Sequence, residues 1–107
     1  MIFYRGFDSQ YGFFTNNSFL WVSDDFTIAS EYGDSVKSCK INFAKIKFAD
    51  LTTLESICLK LDYDYIEAIY NPSEDFVKEI KRSGFNAYSI EPCDYSYCCI
   101  LETSLIH

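Results

Sequence analysis

Asn71-Pro72-Ser73-Glu74-Asp75-Phe76-Val77-Lys78-Glu79-Ile80-Lys81-Arg82-Ser83-Gly84-Phe85-Asn86-Ala87-Tyr88-Ser89-Ile90-Glu91 decides the fold class. Its first half reads as a helix. Asn71 supplies an N-cap, Pro72 takes the first helical position, and Glu74 sets negative charge against the positive end of the helix dipole. Phe76, Val77 and Ile80 share a face, Lys81 and Arg82 complement the other end, and Gly84 stops the helix. The second half changes period, so Asn86 to Glu91 reads as a strand.

Outward from this unit the same alternation of types recurs. Tyr95 to Glu102 reads as a closing strand with Cys99 and Leu101 on one face. Upstream, Thr52-x-x-Glu55 has the form of a capping box, and Leu54, Ile57, Cys58 and Leu61 follow it at helical spacing. Asp62 to Tyr70 fits both periods: Tyr63, Ile66 and Tyr70 suit a helix, Tyr63, Tyr65 and Ile69 a strand. The helix is preferred. Cys39, Ile41 and Phe43 alternate as a half-buried strand, whose phase breaks at Ala44 and resumes at Ile46 and Phe48. Ser23 and Asp24 offer an N-cap to a helix with Phe26, Ala29 and Tyr32, which Gly33 ends in the left-handed position. Phe19 to Val22 and Ile2 to Arg5 read as strands, and Gly6 to Ser18 as a loop long enough to be functional. This order predicts one α+β domain over residues 1–107, with a mixed or antiparallel split sheet and a few short helices.

Composition limits the function. With 107 residues the chain fits one core, and 49% hydrophobic content rules out disorder. Nine Lys and Arg against 16 Asp and Glu give a net charge of −7, which makes nucleic acid an unlikely partner. Lys37, Lys40, Lys45 and Lys47 cluster, but they read as the solvent edge of a strand. No run approaches the roughly 20 apolar residues of a membrane helix, so no membrane partner is expected. Met1 to Arg5 lacks the basic-then-apolar pattern of a signal peptide, which points to a cytoplasmic protein. Cys39, Cys58, Cys93, Cys98 and Cys99 then read as reduced thiols. No Cys-x-x-Cys occurs and the one histidine is His107, so no metal site is expected.

Three places offer chemistry. Arg5, before Gly6, is either a rigid fork for phosphate or carboxylate or a side chain snorkelling into solvent. Ser23 reads sufficiently as a capping hydroxyl. Glu91, at a strand end beside Pro92 to Asp94, either points into a cleft or is a solvated acid.

In their order these segments resemble a known family. Tyr4-Arg5-Gly6 closing a first strand, a loop with glycine and aromatics, Phe19-x-Trp21-x-Ser23, and Ala29-x-x-Tyr32-Gly33 resemble the first half of the ADP-ribosyltransferase superfamily. The similarity is to its arginine–serine–glutamate group, which contains cholera-type toxins and many phage and bacterial effectors. Ser83-Gly84-Phe85-Asn86-Ala87 resembles the Gly-Tyr-Asp-Gly strand after the last helix of effector members, and residues 100–107 their closing strand and tail. The resemblance covers both ends and not residues 45–71. The chain is shorter than most members and lacks their Glu-x-Glu or Gln-x-Glu pair.

The resemblance implies a compact ADP-ribosyltransferase-like fold with NAD as substrate. Glu91 would be the catalytic carboxylate, with Asp94 and Glu102 as fallbacks, and would stabilise the oxocarbenium-like cation formed as nicotinamide leaves. Arg5 would contact the diphosphate or adjoining ribose. The backbone at Gly6 would bond the nicotinamide amide, and Ser23 would hold Glu91. Tyr4 joins the NAD-binding set, and Phe13, Phe14, Trp21 and Tyr32 are the candidates to stack on the ring. The implied function is mono-ADP-ribosylation of an intracellular protein target by a phage or bacterial inhibitor of a host or defence protein, with water as a possible acceptor. The alternative is a non-catalytic acidic binding protein, a decayed transferase fold, whose Asp62, Asp64 and Glu67 occupy a basic partner surface.

Overall fold

A computed structural model describes residues 2–13, 18–91 and 94–106. The final strand, β5 (Asp94–Ile100), organises the molecule. It lies between β2 (Leu20–Val22) and β4 (Ala87–Glu91), antiparallel to both. Side chains of a strand alternate between faces, and β5 uses both. Cys98 and Ile100 enter one core with Leu20, Val22, Ala87 and Phe3, whereas Cys99 and Leu101 enter the other with Tyr88, Phe76 and Ile80. The adjacent cysteines therefore serve opposite cores.

One core is closed by a second antiparallel sheet, β1 (Ile2–Phe7) with β3 (Ser35–Lys40). The other is closed by α2 (Leu51–Leu61), α3 (Tyr65–Tyr70) and α4 (Glu74–Arg82). Tyr88 anchors this side: it is fully buried, and its hydroxyl donates to the Ile69 carbonyl at 2.7 Å. A short helix, α1 (Phe26–Ala29), runs into a 3-10 turn at Ser30–Tyr32 and covers the outer face of β1. Among the described residues no helix is long and apolar enough to cross a membrane.

The fold is α+β; among the described residues there are two small sheets whose strands all pair antiparallel, with one isolated parallel bridge between Phe48 and Ala87. Several boundaries differ from the sequence reading. β1 continues through Gly6 and Phe7. α1 is capped by Asp25, not Ser23 or Asp24; its carboxylate accepts from the Thr27 amide at 2.8 Å. Gly33 is extended (φ 168°), not left-handed. β3 starts at Ser35 and stops at Lys40, while Phe43 sits in a 3-10 turn at Phe43–Lys45, where the hydrophobic phase breaks. Lys37 and Lys40 lie on this strand, but Lys45 is in the turn and Lys47 beyond it.

α4 begins after Ser73, whose hydroxyl accepts from the Phe76 amide at 3.2 Å, because Asn71 already closes α3 with its own amide on the Glu67 carbonyl. The Thr52 capping box is replaced by Asp50, which accepts from the Thr53 amide at 2.8 Å. Asp50 bonds to Thr53 by side chain and backbone, which holds its carboxyl below the ordinary aspartate range. A group with a depressed folded pKa stabilises above its unfolded pKa, and that contribution is lost as pH falls through the folded value. Asp50→Ala is therefore expected to lower the urea midpoint at pH 7 and to have a smaller effect in strong acid. Thr52→Ala should leave the midpoint unchanged; the reverse pattern would restore the capping box.

Candidate functional site

Arg5 lies where the two sheets meet. Tyr4 and Ser23 exchange backbone hydrogen bonds at 2.6 and 2.9 Å, which joins the β1 sheet to the end of β2. Phe3, Arg5 and Phe7 face inward from β1, and Arg5 is only 7% exposed. Its Nε donates to the Phe13 carbonyl at 3.1 Å and its Nη1 to the Trp21 carbonyl at 3.2 Å. The Phe13 ring stands over the guanidinium, 5.9 Å to the centroid. Burial lowers the Arg5 pKa, and the same burial pushes the neighbouring Cys39 thiol up to about 11. Arg5 thus neither snorkels nor offers an open fork: its donors bind carbonyls of its own chain.

Gly6 and Ser23 also have local partners. The neighbour that approaches Gly6 is the Ala29 carbonyl, and a Cβ at Gly6 would overlap that oxygen. The buried Ser23 hydroxyl accepts from the Asp25 amide at 3.0 Å, which sets the entry to α1. Tyr4 packs edge-on against Phe26, 5.5 Å between centroids. Phe14 and Cys93 lie outside the described residues, as do Pro92 and His107.

Glu91 is exposed, on the far side of β5 from β2. Two strand spacings amount to about 10 Å. Glu91 is also displaced along the strands, since it pairs with Asp94 whereas Val22 pairs with Cys98. A glutamate side chain does not span that separation, so Ser23 does not hold Glu91. The fallback acids do not replace it. The Asp94 carboxylate accepts from the Ser96 amide at 2.9 Å, and this bonding to Ser96 lowers its pKa. Glu102 lies beyond the other end of β5, beside a cleft lined by Lys45, Lys47 and Lys81. The structure brings Arg5 and Ser23 to one junction and leaves all three acids outside it.

Two predicted aromatics do meet. Trp21 and Tyr32 line one cleft of about 110 Å³ with Tyr70, Ile90 and Tyr97. Trp21 is held behind by Tyr88, edge-on at 5.8 Å, and Tyr32 meets Tyr97 at 6.5 Å. Strand alternation makes this possible: Tyr97, two residues from Cys99, and Ile90, two from Tyr88, fall on the face of the sheet that Trp21 shares with Cys99 and Tyr88. Burial, with Tyr97, Glu31 and Tyr70 nearby, raises the Tyr32 pKa, so the phenol is neutral at physiological pH. Drug-sized ligands occupy roughly 300–1,000 Å³, so this cleft is too small for a whole dinucleotide and has room for a single ring at most. Ile90 also lines a neighbouring apolar cleft of about 260 Å³ with Phe48, Leu54, Tyr65 and Tyr95.

Sequence reasoning missed Tyr70, Ile90 and Tyr97. The available signal was the pairing of Trp21 with Cys99, which sets Tyr97 two residues away along the partner strand, but it becomes readable only with the register known. Comparison with known protein families, curated proteins and solved structures finds no match to this chain.

Proposed function

We propose that the aromatic cleft receives the nicotinamide ring of NAD and that the domain acts as a mono-ADP-ribosyltransferase on a protein target. One observation carries this reading: Trp21 and Tyr32, which the family resemblance nominates for the ring, line the same cleft, whose wall includes Ile90 next to Glu91. Offset or edge-on aromatic packing suits a flat heteroaromatic ring and excludes water from it. In the reaction the bond between ribose C1′ and the nicotinamide nitrogen breaks, its electron pair leaves with nicotinamide, and an acceptor side chain attacks C1′ and loses its proton. The resemblance assigns the carboxylate that stabilises the cation to Glu91, which follows Ile90 on β4 and, as its strand neighbour, alternates to the other face. Arg5 and Gly6 support the cleft from behind: Arg5 fixes the Trp21 carbonyl, and a Cβ added at Gly6 would stand 3.1 Å from the Tyr32 Cβ, so the bare glycine lets that turn sit close.

A second reading is a binding protein without chemistry. The observation that favours it is that, among the described residues, no carboxylate lines the aromatic cleft.

Trp21 is the one tryptophan, so its fluorescence reports the cleft. NAD, and nicotinamide alone, should quench it in a saturable way, and wild-type protein should release nicotinamide from NAD with water as acceptor. Glu91→Gln should keep the quenching and lose about 100-fold or more of the release. Quenching without release by the wild type would establish the second reading, and no quenching at millimolar NAD would remove the first.

A further inference from the structure

We propose that the outer face of α3 is a docking surface for a protein segment that carries basic residues around an apolar anchor. α3 buries Ala68 and Ile69. At about 100° per residue, Ile66, Tyr70 and Glu67 fall together on the opposite side. Ile66 is 60% exposed and Tyr70 52% exposed. Scattered apolar side chains are ordinary on a surface. These two, however, are neighbours at i and i+4 on a helix of six residues, and each leaves more than half of its surface open. Beside them, reached through Glu67, opens a cleft of about 380 Å³ lined by Asp62, Tyr63, Asp64, Glu67 and Asn71.

Charge selects the occupant. From Leu59 to Val77 the chain has five carboxylates, Asp62, Asp64, Glu67, Glu74 and Asp75, and one cation, Lys60. Lys60 is ion-paired with Glu79 at 2.8 Å, and the next cation, Lys78, follows one turn after Glu74 on α4. Such a face repels nucleic acid, and it repels a second copy of a chain of charge −7. It attracts lysine or arginine, while Ile66 and Tyr70 offer the aliphatic and aromatic contacts that carry interface energy. Tyr70 also lines the aromatic cleft, so a protein bound here sits at its mouth. The inference goes beyond the NAD reading and does not depend on it.

The test is a ¹⁵N NMR titration of the full chain with a short amphipathic peptide of leucine and lysine. A leucine–glutamate peptide of the same pattern is the control. The lysine peptide should shift the amides of residues 62–71, and the glutamate peptide should shift none. Ile66→Ser and Glu67→Lys should each weaken binding about tenfold, whereas Glu102→Lys, at the far end of β5, should not. Shifts spread over the whole acidic surface, or an equal loss from Glu102→Lys, would reduce the effect to net charge and overturn the proposal. Concentration-dependent dimerisation through Ile66 and Tyr70 without peptide would assign the face to a second copy and overturn it as well.

Discussion

A Gly6→Ala chain should lose about 3 kcal/mol or more of stability, seen as a large fall in its urea midpoint at an unchanged slope. The reason is local. α1 and the turn after it lie so close on β1 that the Ala29 carbonyl oxygen occupies the space a Cβ at Gly6 would need, and the carbonyl carbon stands 2.8 Å from that position. The obstacle is backbone, so no rotamer change relieves it, and Ala29→Gly should not rescue the variant. A domain of this length has roughly 5–15 kcal/mol in hand, so the substitution takes a large share. An unchanged midpoint would mean that α1 is not seated on β1. The result bears on function, because the resemblance gives Gly6 a ligand contact. A stable Gly6→Ala protein with weakened NAD quenching would restore that contact; a destabilised one attributes the glycine to the packing of α1.

What the sequence disclosed depended on range. α4 was legible because Phe76, Val77 and Ile80 repeat at the helical period and all three are buried. The division of Cys98 from Cys99 was legible because neighbours on a strand face opposite ways. Helix starts were less so. Asn71 and Ser73 are both good caps, and the choice went to Ser73 because Asn71 closes α3, a fact about the preceding element. The sequence around Thr52 matched a capping box, yet Asp50 two residues earlier starts the helix and sets Thr52 inside its first turn. Gly33 had the right position for a left-handed cap, but its backbone is extended; the close constraint there is the Phe7 carbonyl, 26 residues earlier in the chain.

The site divides in the same way. Trp21 and Tyr32 could be nominated from order alone, and they share a cleft. Glu91 could be nominated too, but a carboxylate's position relative to Ser23 depends on which strand separates them, and that strand is β5. No local pattern announces that pairing. The buried thiols follow the same logic: Cys39 is held up at about 11 and Cys98 at about 12 by burial, so neither is a thiolate at neutral pH. The reduced state expected from the sequence therefore coincides with low reactivity, which only the packing discloses.

Arg5→Ala should destabilise the protein by about 3 kcal/mol, and Arg5→Lys by a substantial part of that. Arg5 joins two sheets by donating to the Phe13 and Trp21 carbonyls. Among the described residues every buried side-chain nitrogen and oxygen has a hydrogen-bond partner, so the junction tolerates little loss. Truncation withdraws a charged donor from two carbonyls, each such bond contributing roughly 1.5–3 kcal/mol, and opens a gap beneath Phe13. Lysine restores charge at a single point, but it cannot aim two donors in fixed directions. Arginine remains charged at any pH where the chain is folded, so the deficit should be the same at pH 5 and pH 8 by urea unfolding. A guanidinium held for a ligand would behave otherwise: Arg5→Lys would unfold at the wild-type midpoint and show its defect only in NAD titration. Loss of stability with unaltered quenching in the surviving folded fraction would identify Arg5 as the clamp that holds β2, and with it Trp21, in place.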